Sequence, residues 1–427
     1  MSKQTVNIGT SANDGTGSPI RTAFEICNDN FTELYSSGTT ALAFKIQGTD
    51  FTGSLIVGHS TTGTLSAATY NTALGIGAMD AITQGDYNVV VGYNAGTAIT
   101  TGSYNILLGA KAGDSLTTGS TNIAIGYEAL QYEDTDGKNV AIGHQTLNAL
   151  RAGADAYNVA IGYDAGLLVS TGVENVLIGG LTGDALTTGD YNTAVGHKSL
   201  SGEDTGNRNT ALGYKTLEVL NYDGNSENTA VGYIAGAAIT TGLRNTILGA
   251  LAGDAITTGS DNVAIGRGAL TNEDTSSNNV AIGYAALNSQ NSDISAPYNV
   301  AVGYNAGVFV TTGTYNTLIG GLSGDALTTG AGNVAVGYFA LSTEDAHGNN
   351  TAIGYRSLAT LDAGADAYNT AVGYNAGFAM TTGVNNTLIG GSAGDSLTSG
   401  SYNIAIGKNA LQAEDAHGRN VAIGHAA

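Results

Sequence analysis

The chain has 427 residues, of which 64 are Gly, 2 are Pro and none is Trp, and only 11% are charged. That balance suits a repetitive filament better than a compact α/β enzyme. With 14 Lys and Arg against 35 Asp and Glu the formal net charge is -21, and the cations are scattered singly, which argues against general nucleic-acid binding. The single cysteine, Cys27, leaves no intrachain disulfide framework. No stretch approaches the roughly 18 apolar residues of a membrane-spanning helix, so no membrane insertion is expected.

From the N-terminus, residues 1–50 read as a Gly-rich arm followed by a predicted helix, together a segment for attachment or trimerisation. Ser18 can cap the helix, and Pro19 suits its first turn because the missing N–H has no intrahelical partner there. Ile20, Phe24, Cys27, Phe31 and Leu34 recur at steps of 4, 3, 4 and 3, a heptad-like stripe. Two heptads are short for an isolated coiled coil, so the stripe is expected to pack three to a bundle or to dock into a partner. The alternative is a simple cap on the first coil of the repeat region. Cys27, in mid-stripe, is expected to act as a small core residue. Residues 51–70 form a transition segment, and residues 71–427 are repetitive.

Within that region, twenty-one copies of Asn-x-x-x-Gly run from Asn71 to Asn420, nearly all separated by 17 residues. They read NTALG from Asn71, NVVVG from Asn88, NILLG from Asn105 and so on to NVAIG from Asn420. A unit this short cannot bury a core alone and must stack on its neighbours. The predicted fold is therefore all-β, a parallel β-roll or β-helix solenoid of about 21 coils. Longer steps of 19, 19, 20 and 19 end at Asn158, Asn228, Asn299 and Asn369 and mark super-repeats of about 70 residues. In each, the first two coils carry TTG or a close variant. The third carries Glu-Asp, beginning at Glu133, Glu203, Glu273, Glu344 or Glu414, and the fourth extends into a polar loop such as RAGADAY from Arg151.

Inside a coil, the residues one and three after the Asn are Val, Ile, Thr or Leu and the residue between is usually Ala, which is strand alternation. The larger pair is expected to face inward and the Ala outward, with the Gly ending the strand where a Cβ would obstruct the turn. A second apolar position closes the coil: eleven after the Asn in TTG coils (Ile99, Leu116, Val169, Leu186) and eight after in Glu-Asp coils (Leu130, Leu200, Leu270, Leu341, Leu411). In each second coil the outward Ala is replaced by Leu107, Leu177, Ile247, Leu318 or Leu388. Large apolar residues at an outward position call for a covering chain, so these five are candidates for a trimer interface.

Catalytic chemistry finds little footing. The His residues are scattered, and His347 and His417, which share the context EDAHG, lie four coils apart, roughly 19 Å at ~4.8 Å per coil, too far to share a metal. Adjacent carboxylates such as Glu133 and Asp134 do not face each other across a substrate, and the Glu-Asp pairs are expected to be solvated loop charges. Gly-rich turns such as GAKAGD from Gly109 lack the Lys-Ser/Thr ending of a phosphate loop. Asp114, Asp184, Asp254, Asp325 and Asp395 each follow a Gly and suit turns; the calcium-binding nonapeptide is missing. Tyrosines recur five after the Asn, as at Tyr93, Tyr127 and Tyr163, and just before it, as at Tyr87 and Tyr104. Each can bury a ring while leaving its hydroxyl wet, and glycan contact is the sharper alternative. No catalytic residue, cofactor or metal site is predicted.

The run N-[VTI]-[AL]-[IVL]-G resembles the head repeats of trimeric autotransporter adhesins and the fibre repeats of bacteriophage tail proteins, over about 350 of the 427 residues. That resemblance implies left-handed parallel rolls packed three to a bundle. The segment VNIGTSANDGTGSPIRTAFEICNDNFTELYSS, with its core of Ala23, Phe24, Asn28, Asn30 and Phe31, resembles the N-terminal segment of phage tail fibre and baseplate-associated proteins. It implies a structural virion protein: a homotrimer that docks to a tail or baseplate protein and extends a stiff shaft toward the host surface, where glycan or receptor contact is possible. The alternative is a bacterial surface adhesin, or a glycan- or ice-binding β-solenoid. An exported adhesin is expected to carry an apolar leader and a C-terminal barrel anchor. MSKQTVNIGTSANDG has no apolar run, and RNVAIGHAA stops part-way through a coil.

Overall fold

The computed structural model describes residues 44–46, 50–58, 64–292 and 294–427. The predicted helix carrying Ile20, Phe24, Cys27, Phe31 and Leu34 lies outside the described residues. Three-residue strands, from β1 (Phe44–Ile46), β2 (Leu55–Val57) and β3 (Thr72–Leu74) to β23 (Val421–Ile423), make one 23-stranded sheet. From β2 onward every strand lies parallel to its sequence neighbour and in register, Thr193 opposite Thr210 and Ala194 opposite Ala211. The longer fourth coils keep this register, Val140 facing Val159, so their additional residues leave the ladder undisturbed. Only β1 runs antiparallel, and it covers the open backbone edge of β2. The chain is therefore a parallel β-solenoid with one short strand per coil and turns for the remainder.

The recurring Asn is the hinge of this arrangement. Asn175 is fully buried; its Oδ1 accepts the backbone N–H of Asn192 at 2.9 Å, and its Nδ2 donates to the Gly189 carbonyl at 2.8 Å. One side chain thus ties its coil to the next and closes its own coil fourteen residues on. The pattern repeats along most of the roll, as at Asn88 and Asn386, so these buried amides find partners on the chain itself. Asn139 and Asn350 turn their Nδ2 to the carbonyl two residues back instead, and Asn279 Nδ2 has no partner among the described residues. Ser54 supplies the first rung, its Oγ accepting the Asn71 N–H at 2.8 Å. The stacked coils therefore begin at Leu55, inside the segment expected to be a transition.

The Gly that follows each strand is required by backbone geometry. Gly143 has φ of 142°, and a Cβ there would lie 2.0 Å from the carbonyl oxygen of Gly162 in the next coil. A side chain would separate the coils. Two other corners of the coil are left-handed without glycine, at Tyr87 (φ 57°) just before the Asn and at Leu130 (φ 53°) in the following turn. Each such residue costs on the order of 1 kcal/mol in isolation, which the inter-coil hydrogen bonds must offset.

The interior corrects the expected strand facing. The middle residue of the strand points in and the flanking pair points out: Ala141, Ala160 and Ala194 are fully buried, whereas Val89 is 40% and Ile106 38% exposed. Leu107, Leu177, Ile247, Leu318 and Leu388 are likewise fully buried in the chain's own core, so they are not surface residues. Their size has an internal cause. In TTG coils the turn residue eight after the Asn is Gly, and a Cβ on Gly96 would sit 2.7 Å from Ile99 Cδ1 and 2.8 Å from Leu107 Cδ1. On Gly113 it would sit 3.0 Å from Leu107 Cδ2. Leu107 therefore fills the space left by two glycines, while in the Glu-Asp coil Leu130 fills that space itself. Alternation alone put the bulkier residues inside; the space behind the strand is filled by Ala in most coils outside the second of each super-repeat, with Ile56 and Val90 the larger inner residues at the N-terminal end. The expected closing residues Ile99, Leu116, Val169, Leu186, Leu130, Leu200, Leu270 and Leu341 are all in the core.

Candidate functional site

The outward strand residues build the largest surface feature. Leu55 and Val57, the latter itself buried, begin two columns that continue outward with Thr72 and Leu74, Val89 and Val91, and so on to Val421 and Ile423. Every member is Thr, Val, Ile or Leu, and none is charged. Those most exposed within the shaft include Leu248 (46%), Ile319 (39%) and Ile389 (39%). β-branched residues suit a pleated surface, but in water such a face is normally half polar. With 22 parallel strands at ~4.8 Å spacing the stripe is about 100 Å long, on the order of 1,000 Å² in projection. That exceeds the few hundred Å² typical of the largest apolar patch on a monomer.

Beside it run two aromatic columns. Five after the Asn, Tyr127, His144 and Tyr163 stack at 5.5 and 4.9 Å between ring centroids, and Tyr338, Tyr355 and Tyr374 at 5.9 and 5.3 Å. Just before the Asn, Tyr70, Tyr87 and Tyr104 stack at 4.8 and 5.1 Å. The rings are about half exposed, Tyr163 at 58% and Tyr87 at 47%. They are not sunk into the turns as expected: each ring covers its neighbour's face and presents an edge and a hydroxyl. In the second coil of each super-repeat the first column is interrupted by Ala110, Gly180, Ala250, Gly321 or Gly391, which leaves the ring at each block end with a face not covered from that side.

The expectation of solvated Glu-Asp pairs holds for Asp134, Asp345 and Asp415, which are exposed, and is corrected at the Glu of four pairs. Glu133, Glu203, Glu273 and Glu344 are fully buried, each at the core position where TTG coils have an aliphatic residue. Their carboxylates take over the turn: Glu203 Oε1 accepts the N–H of Gly206 at 2.7 Å and of Asp204 at 3.1 Å. Burial pushes the Glu133 carboxyl up to about 7, opposed by the N–H of Asp136 and reinforced by the Asp136 charge. Burial likewise raises Glu203, Glu273 and Glu344. Glu133 Oε2, Glu203 Oε2 and Glu273 Oε2 find no partner among the described residues. The sequence signal was present, a Glu in register with Ile and Leu, but charge alone suggested solvent. Asp114, Asp184, Asp254 and Asp325 are partly buried in their turns, and desolvation raises each.

The extended surface features of the described residues are the uncharged sheet face and the stacked aromatic columns beside it. The chain's class is that of a parallel β-solenoid repeat protein. No family model, curated protein or solved structure matches the chain. Among the described residues no helix is long and apolar enough to cross a membrane.

Proposed function

We propose that the chain is the shaft of a phage-type tail fibre, a parallel homotrimer whose N-terminal segment docks to a tail or baseplate protein. The observation that carries this is the uncharged sheet face about 100 Å long, bounded by Val89, Ile106, Ile178, Leu248 and their column mates. Three such faces turned toward a common axis would remove the stripe from water along its whole length, and parallel in-register rolls present the same row to each partner at every coil. The interface is thus assigned to the columns one and three after the Asn and not to Leu107, Leu177, Ile247, Leu318 and Leu388. The acidic charge of -21 is left to the outer surface, where it favours solubility.

Attachment rests on the phage-like N-terminal sequence and its stripe of Ile20, Phe24, Cys27, Phe31 and Leu34. Deleting residues 1–37 is expected to leave a soluble trimeric roll that no longer joins particles, read by antibody labelling of intact virions. Normal incorporation of the deleted protein would place attachment elsewhere, and a wholly unfolded product would make the segment a cap. A second reading is favoured by one stretch of the same face, Thr193, Thr210, Thr229 and Thr246, four outward hydroxyls in consecutive coils. There the flat sheet of a monomer would itself be the binding surface, for a glycan or for ice, and a monomer in solution would favour it.

A further inference from the structure

In the fourth Glu-Asp loop, three metal-type side chains that loop closure does not require converge on the Glu that closes it. Glu344 is fully buried; its Oε1 accepts the His347 backbone N–H at 3.1 Å and lies 3.2 Å from His347 Nδ1. Its Oε2 accepts the Ala363 N–H from the following coil at 3.3 Å. Asp345 and Asp362 complete the group, and one donor atom from each of Glu344, Asp345, His347 and Asp362 lies within 4.8 Å of all the others. Donors that share a tetrahedral ion at ~2.0–2.2 Å are about 3.3–3.6 Å apart, so side-chain motion on the order of an ångström closes the set.

The other super-repeats show what the turn itself needs. Over Glu133, Glu203 and Glu273 the same backbone N–H, three residues on, is supplied by Asp136, Gly206 and Ser276, so no imidazole is called for. The position of Asp362, twelve after the coil's Asn, is Arg151, Asn221 and Asn291 elsewhere. The imidazole and the facing carboxylate thus arrive together, from two coils, in the one super-repeat where both are described. Where the loop has no His at this place, in the first super-repeat, the facing residue is a cation. Among the described residues His347 is the basic side chain paired with this cluster of three carboxylates, and its pairing is with the buried Glu344.

We propose that Glu344, His347 and Asp362, with Asp345 as a fourth donor, bind a divalent first-row transition ion such as Zn²⁺. One imidazole nitrogen with carboxylate oxygens suits such ions better than the all-oxygen sets of Ca²⁺ or Mg²⁺. The ion fastens the Glu-Asp loop to the polar loop of the next coil. The second EDAHG loop presents Glu414, Asp415 and His417, again mutually within 4.8 Å, with His417 Nδ1 2.8 Å from Glu414 Oε1. Having three donors and being more exposed, it is the weaker site.

The test is Zn²⁺ titration of the full chain against a chromophoric chelator, with thermal unfolding in parallel and Mg²⁺ and Ca²⁺ as controls. The tightest binding event is expected to weaken at least tenfold in His347→Ala and in Asp362→Asn, and to survive His417→Ala and His144→Ala. Zn²⁺ is expected to raise the Tm of the wild type and not of the first two variants. Asp362→Asn changes neither size nor backbone, so it serves if His347→Ala alters the metal-free Tm. An unchanged tight event in both variants, no Zn²⁺ binding, or equal occupancy by Mg²⁺ or Ca²⁺ would each overturn the proposal.

Discussion

At the residue scale, the roll depends on groups whose partners sit one coil away. Asn175→Ala leaves the buried Asn192 N–H and the Gly189 carbonyl without their side-chain partners, a cost of about 2 kcal/mol or more. Hydrogen exchange is expected to show faster opening at Asn192 and adjoining coils, with distant coils little changed because each contacts only its neighbours. Uniform protection would contradict the ladder. The buried Glu gives a pH signature. The folded Glu133 carboxyl is raised to about 7 from the ordinary 4.5, so it favours the fold most below its unfolded value, and that contribution is lost as pH rises through about 7. Glu133→Gln, neutral throughout, is therefore expected to gain on the wild type between pH 5 and pH 8, reaching on the order of 1 kcal/mol. Parallel Tm profiles across that range would contradict a raised carboxyl.

At the element scale, each three-residue strand divides core from surface between adjacent positions. Leu177 is fully buried against Gly166 and Gly183, while Ile178 faces out. Leu177→Ala opens a cavity and is expected to cost about 2–5 kcal/mol, seen as a lower Tm with no change in oligomeric state. A loss of assembly at unchanged Tm would restore Leu177 to the interface. Much of the architecture was legible in the sequence: the 17-residue step gave the coil and its in-register parallel pairing, and the apolar residues eight or eleven after the Asn gave the second wall of the core. Which strand face looks inward was not legible, because Val-Ala-Ile alternates equally well either way. The packing decides it: Gly96, Gly113 and their equivalents open room in the turns that Leu107 and its equivalents fill, and where Leu130 and its equivalents occupy the turn instead the inner strand residue is Ala. The Asn ladder was visible as a repeat and silent as chemistry, since its partners lie 14 and 17 residues off. Ser54 was hidden for the same reason: a hydroxyl does an amide's work there, and no motif survives to mark it.

At the scale of the whole molecule, a parallel sheet of 22 strands is buried on one face only, while parallel sheets are generally covered on both. An uncharged outer face in a chain of charge -21 is what a shared trimer axis would require. The most direct measurement is the solution mass, by light scattering at micromolar concentration, of the full chain and of Ile178→Asp. The wild type is expected at three times the 42.7 kDa chain mass. The variant, which places an unpaired charge on the outward column and leaves the core untouched, is expected to shift toward monomer while keeping its β-sheet circular dichroism. A wild-type chain that runs as a folded monomer, or an Ile178→Asp protein that stays trimeric with undiminished stability, would contradict the assignment of this face.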